Sequence, residues 1–250
     1  MSVAQGTGIR RHETAGVYNL RDTGGYSAGE GSSRWGRLFR SDALHLLDDD
    51  GRALLADLGI VHIVDLRGSE ELRTAPSSLD GLEVTVHHLP VFDEAAPAAQ
   101  LDLSVGLAPV YDHMVDERGA NLAAAIRVIA GAADDEAVLV HCTAGKDRTG
   151  LVIAFALSAA GVDRDEVVAD YAQTADNLRG EWAGRMLAQY RSGDAVLAPE
   201  VVELVTASPA PVLAALLDRI DREHGSVRDY LLAQGMTDAE LERLTAFLVG

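Results

Sequence analysis

The chain has 250 residues, 48% of them hydrophobic, and carries a net charge of −18 at neutral pH. That charge argues against a nucleic-acid surface or adhesion to anionic membranes, because both partners are polyanions, and an anionic substrate must be drawn by a local cationic site against the global field. One cysteine excludes an intramolecular disulfide framework, and a reducing compartment is its simplest setting.

The opening MSVAQGTGIRRHETAG lacks the apolar core of a secretory signal, so a cytoplasmic location is expected, with export by another route left open. VYNLRDTGGYS reads as an extended segment entering a Thr-Gly-Gly turn. GRLFRSDAL predicts a strand and then a helix start, with Ser41 or Asp42 as its cap. Residues 48–58 have helical spacing, and Gly59 stands where a C-terminal stop belongs. IVHIVDLRG is a β-branched run of buried-strand length, and GSEELR opens a helix after it. LEVTVHHLPV is a second strand, closed by Pro90. On it His87 and His88 point to opposite faces, which disfavours a metal-ligand pair. Residues 91–109 read as a long loop, a common home for functional groups, and Asp93 lies on it. Residues 107–132 predict a helix broken near Gly119, and EAVLVHC a third strand.

Arg148 to Ala160 is apolar on nearly every face, so a buried helix is expected, and its apolar run is too short to span a bilayer. Residues 164–250 read as helices with loops near Gly193 and Pro209, ending in the well-capped SVRDYLLAQG and DAELERLTAFLV. The expected fold class is α/β, one domain over 1–250 with a central sheet flanked by helices and a helical C-terminal part. The strand order is not legible.

The chemistry concentrates in HCTAGKDRTG, residues 141–150, which holds the sole cysteine, Cys142, and the sole lysine, Lys146, beside twenty arginines. A strand ends at Cys142 and a helix begins near Arg148. Such a join turns several backbone N–H groups toward one point, where the helix dipole adds positive charge. Thr143, Ala144, Gly145, Lys146, Thr149 and Gly150 thus form a candidate anion cradle. The same field favours a thiolate at Cys142, a nucleophile needing no separate base. The fork of Arg148 can bind two phosphoryl oxygens at once. Thr149 offers a hydroxyl to the thiolate, and His141 can orient the loop. The plain alternative is an inert buried cysteine. A nucleotide-binding P-loop is excluded twice, by Val140 where glycine is needed and by Asp147 where Ser or Thr is needed. The eight histidines show no HExxH or His-x-His spacing.

HCTAGKDRTG resembles the signature loop of cysteine-dependent protein tyrosine phosphatases, and its Lys-Asp pair is similar to that of the bacterial tyrosine/serine protein phosphatase family. NLRDTGGY (Asn19 to Tyr26), LFRSDAL (Leu38 to Leu44), VDLRGSEEL (Val64 to Leu72) and GSVRDYLLAQG extend the resemblance over most of the chain, leaving 92–135 and 175–210 loosely anchored. The resemblance implies a protein-tyrosine-phosphatase-like fold and hydrolysis of phosphotyrosine, extending to phosphoserine and phosphothreonine, through a phosphocysteine on Cys142. It implies no metal and no cofactor, with a phosphorylated protein or peptide as partner and inorganic phosphate as product. No Trp-Pro-Asp motif supplies the general acid. Asp147, Asp93 and Asp65 stand as candidates, and the resemblance favours Asp147. Asp65 could instead form a salt bridge with a nearby arginine, and Asp93 could be a solvated loop charge.

Lys146 could reach a second phosphate or a carboxylate flanking the phosphotyrosine, or be a solvent-exposed charge. Arg40 and Arg67 are expected to brace the loop through Asp22, Asp42 or Glu70. A mycobacterial member has a helical lid, so part of 178–206 is a candidate lid, with Trp182, Met186, Leu187 and Tyr190 as its inner face; a packed core helix is the alternative. Two other functions stay open: a phosphoinositide phosphatase, and a phosphate- or redox-sensing module without turnover.

Overall fold

A computed structural model describes residues 8–92, 106–190 and 197–250, so Asp93 and the loop around Gly193 lie outside the described residues. Among the described residues the sheet has five strands: β1 (Arg21–Asp22), β4 (Leu38–Ser41), β5 (Ile60–Asp65), β6 (Thr85–His88) and β7 (Ala137–His141). β2 (Ser27–Ala28) and β3 (Gly31–Ser32) form a separate hairpin. The sheet order is β1-β4-β7-β5-β6, with β1 antiparallel and the rest parallel. The central strand β7 is buried at every position, as its continuous apolar run requires when both faces are covered.

The helices are α1 (Asp49–Asp57), α2 (Ser69–Thr74), α3 (Ala108–Gly131), α4 (Asp147–Ala159), α5 (Arg164–Asn177), α6 (Glu181–Tyr190), α7 (Pro199–Thr206), α8 (Ala210–His224), α9 (Val227–Ala233) and α10 (Asp238–Leu248). The α/β class with a helical C-terminal part is as expected. Asp48 caps α1 by accepting from Gly51 N–H at 2.8 Å, and Gly59 ends that segment at φ +70°. Ser226 and Thr237 cap α9 and α10. Leu151 through Leu157 of α4 are all at most 2% exposed. They join residues of α3, α8, α9 and α10 in the larger core on one side of the sheet. A smaller core of Leu44, Leu55, Ile63 and Leu139 lies on the other.

Two expectations need correction. α3 runs unbroken through Gly119. The glycine is there for clearance: a Cβ would stand 2.4 Å from Tyr230 Oη and 2.5 Å from Gln234 Cδ, so a larger residue would push α9 away. After β4 comes a single 3-10 turn, Leu44–Leu46, rather than the start of an α-helix. Asp42 caps nothing there; its carboxylate accepts from the N–H groups of Tyr18 and Asn19, both at 2.9 Å.

Candidate active site

Ser41, Asp65 and His141, the last residues of three parallel strands, stand in lateral register. The loop 142–146 leaves the middle of this carboxyl edge, where open α/β sheets characteristically bind ligands. α4 begins at Asp147 and drives into the core, so the loop is anchored at both ends.

The loop's carbonyls all point outward to partners. Thr143 O accepts from Ala43 N–H at 3.1 Å and Lys146 O from Gly150 N–H at 2.7 Å. Asn19 Nδ2 donates to Ala144 O at 3.2 Å and to Gly145 O at 3.1 Å, and Arg40 Nη2 donates to Gly145 O at 2.8 Å. The N–H groups of residues 143–148 meet no acceptor among the described residues. Unpaired donors converging at a helix N-terminus are what an oxyanion or a thiolate needs. Gly145 makes the turn possible: it has φ +62°, and a Cβ would lie 2.2 Å from Ser41 O.

The brace behind the loop is a buried charge cluster. Asp170 of α5 accepts from Arg21 Nε at 3.0 Å and Arg40 Nη1 at 2.5 Å, and all three side chains are essentially unexposed. Burial alone would raise the carboxyl's pKa, but the two guanidiniums hold it well below the usual range. Arg40 does brace the loop, as expected, but its carboxylate is Asp170. Arg67 pairs with Asp65, at 2.6 Å, rather than with Asp22, Asp42 or Glu70.

Cys142 is a free thiol, 2% exposed, at the foot of the cradle. Arg148 is also buried, at 4% exposure. Glu71 of α2 grips both its terminal nitrogens, Nη1 to Oε2 at 2.6 Å and Nη2 to Oε1 at 2.8 Å, and also accepts from Thr143 Oγ1. Burial pushes the Arg148 pKa down, but Cys142, Glu71 and Asp147 together raise it. Glu71 is held below the usual carboxylate range despite burial, chiefly by its bond to Arg148. The Thr149 hydroxyl is buried and has no hydrogen-bond partner among the described residues. His141 is fully buried, and burial lowers its pKa against the opposing pull of Asp65. Its Nδ1 lies 3.3 Å from Cys142 O. Asp65 is 1% exposed and its carboxylate is taken up by Arg67, which is the salt-bridge alternative rather than the posture of a proton donor.

Asp147 is different. Its side chain is 27% exposed at the start of α4, and its Oδ1 accepts from Tyr111 Oη at 2.7 Å. Lys146 Nζ stands 3.4 Å from the same oxygen. The ammonium is neither solvent-exposed nor turned into the cradle: at 2% exposure it donates to Leu204 O at 2.6 Å and Ala207 O at 2.9 Å, at the C-terminal end of α7. A cation on those last carbonyls is favourably placed.

α6 and α7 lie over the loop. Leu178, Trp182 and Val205 form a small apolar cluster against which Ala144, Tyr18, Met186 and Leu187 pack. Three of the four residues named for the inner face thus face inward; nothing is described of the Tyr190 side chain. Beside the loop a cleft of about 410 Å³ is bounded by Thr143 and Glu71, by Trp182, Arg185 and Met186 of α6, and by His45 and Arg67. Asn19, Glu71 and Tyr111 were not singled out from sequence. Glu71 alone had a signal, as the third residue of a helix opening directly after a strand.

A family model described as "Tyrosine phosphatase family" matches residues 12–250. Triple specificity protein phosphatase PtpB of Mycobacterium tuberculosis is 34% identical over 279 residues, covering 95% of this chain and 99% of its own. A tyrosine-protein phosphatase of Nostoc commune is 30% identical over 217 residues, covering 82% of this chain and 71% of its own. Among solved structures, P. aeruginosa TpbA superposes with a TM-score of 0.39 at 18% identity, covering 74% of this chain and 98% of that one.

Proposed function

The chain belongs to the tyrosine phosphatase family, and on that premise we propose that it hydrolyses phosphotyrosine through a phosphocysteine on Cys142. One observation carries the mechanism: the loop's carbonyls are bonded outward while the N–H groups of residues 143–148 meet no acceptor among the described residues, with Cys142 and Arg148 at the two ends of the same short loop. In the first step the S–P bond forms as the bond from phosphorus to the phenolic oxygen breaks. Asp147 protonates that oxygen. In the second step water attacks phosphorus, the S–P bond breaks, Asp147 takes the water proton and inorganic phosphate leaves. The N–H groups and the Arg148 fork hold the equatorial oxygens where charge gathers. Glu71 fixes the plane of that fork.

The name of the mycobacterial relative makes phosphoserine and phosphothreonine peptides natural further substrates. Phosphoinositides are a second reading, favoured by Arg185, which forms no ion pair among the described residues and lines the cleft beside Thr143. A cysteine that must stay reduced to act fits the cytoplasm. Among the described residues no single helix is long and apolar enough to cross a membrane.

The test is phosphate release from a phosphotyrosine peptide in chelator-containing buffer, wild type against Cys142→Ser. Turnover that the substitution abolishes is expected. Equal turnover in both proteins would remove the mechanism, and phosphate binding without turnover on any phosphoester would leave a sensing module.

A further inference from the structure

We propose that Tyr111 is a positioning residue for the proton-transfer step, fixing which oxygen of Asp147 carries the catalytic proton. The inference rests on the reading of Asp147 as general acid. Tyr111 is 0% exposed, in the first turn of α3, and its hydroxyl lies 2.7 Å from Asp147 Oδ1 and 2.6 Å from the Tyr171 hydroxyl of α5.

Counting protons sets the direction of this chain. Tyr111 owns one hydroxyl proton, and an oxygen of Asp147 that bears none can only accept it. Tyr171 must therefore donate to Tyr111. Oδ1 accepts that bond with the Lys146 ammonium 3.4 Å away, while Oδ2 has no hydrogen-bond partner among the described residues. In the protonated acid, Oδ1 keeps the carbonyl role and Oδ2 carries the proton that passes to the leaving oxygen. After water attack, the proton returns to Oδ2. The Tyr111 proton itself never transfers, because burial and the charge of Asp147 hold its pKa well above the ordinary tyrosine value.

The arrangement also answers a problem of location. Asp147 sits on the rigid start of α4, so its side-chain rotamer alone decides where the proton points. A hydroxyl delivered from a neighbouring helix sets that rotamer, and both tyrosines are themselves locked by packing, with ring centroids 6.2 Å apart and nearly perpendicular.

The experiment compares wild type, Asp147→Asn, Tyr111→Phe and Tyr171→Phe on aryl phosphates whose leaving phenols range from strongly to weakly acidic. An acid catalyst matters most for the poorest leaving group. Asp147→Asn should lower kcat by about 100-fold on phenyl phosphate and by only a few-fold on the most activated ester. Tyr111→Phe should show the same slope at smaller scale, about 10-fold against little change, with KM held. Tyr171→Phe, which leaves the Tyr111 to Asp147 bond in place, should retain most of the activity. A Tyr111→Phe loss that is equal across the series, or absent while Asp147→Asn keeps its slope, overturns the inference. A flat Asp147→Asn series instead overturns the reading of Asp147 as the acid. If Tyr111→Phe fails to fold, Tyr111→Met, which also removes the hydroxyl, is read in the same way: a loss that grows as the leaving phenol becomes less acidic supports the inference, and an equal or absent loss overturns it.

Discussion

At Gly145 the backbone takes φ +62° with Ser41 O where a side chain would be, so two penalties fall on one atom. Gly145→Ala should cost at least about 2 kcal/mol from the left-handed backbone and the clash together, read as a lower midpoint in urea unfolding. Phosphate affinity should fall with it, because the loop N–H groups lose their common focus. A variant as stable as wild type would mean the loop can re-form another way. Among single residues, those close together in the chain could be proposed as a group from sequence: Cys142 and Arg148 from the pattern of HCTAGKDRTG, and Asp147 from the family resemblance. Asn19, Glu71 and Tyr111 could not, since each meets the segment 142–148 across a sequence gap of at least 36 residues, and Asp170 reaches it only through Arg40, 130 residues away. Arg40 shows the limit: its bracing role was visible, but the identity of its carboxylate was not.

At the scale of elements, α7 is tied to the 142–146 loop by the Lys146 ammonium on Leu204 O and Ala207 O. Hydrogen bonds from a charged group contribute about 1.5–3 kcal/mol. Lys146→Met keeps the aliphatic stem and deletes the ammonium, so amide exchange across 199–206 should accelerate about tenfold or more by mass spectrometry. Exchange in β7 should stay as it was. Unchanged protection of α7 would show that Val205 and Trp182 hold the helix without the ammonium. The strands were legible because β-branched runs bounded by glycine and proline have few other fates. The break foreseen at Gly119 was not there, because glycine marks both helix ends and close helix crossings, and only the partner helix distinguishes them.

For the molecule as a whole, buried carboxyls divide into two groups with opposite pH signatures. Burial raises Asp22 and Asp42 to about 6, against the N–H groups that favour their ionised forms. The folded state therefore binds protons more tightly than the unfolded chain, and this contribution is present below an ordinary aspartate pKa of about 4 and lost as pH rises through 6. Asp170, Asp65 and Glu71 are depressed, so theirs is present above their unfolded pKa values and lost as pH falls through the folded ones. Repulsion from the −18 charge adds to the first trend. Burial lowers the pKa values of His12, His45, His87 and His141, so their contribution is present above an ordinary histidine pKa of about 6.5, is lost as pH falls below it, and opposes the first trend. The thermal midpoint should fall steeply below about pH 4, and a midpoint that holds there in a buffer series would contradict the second trend. The α/β class was legible from the alternation of strand and helix, whereas the strand order depends on long-range pairing that no local pattern encodes. The lone lysine has one last consequence. The only ε-amine in 250 residues is sealed beneath α7, so an amine-reactive ester has a single side-chain amine to find, and its acylation rate clocks each departure of that helix from the loop. A lysine-specific protease likewise has a single scission point, between residues 146 and 147, and every cut it makes records an opened 142–146 loop.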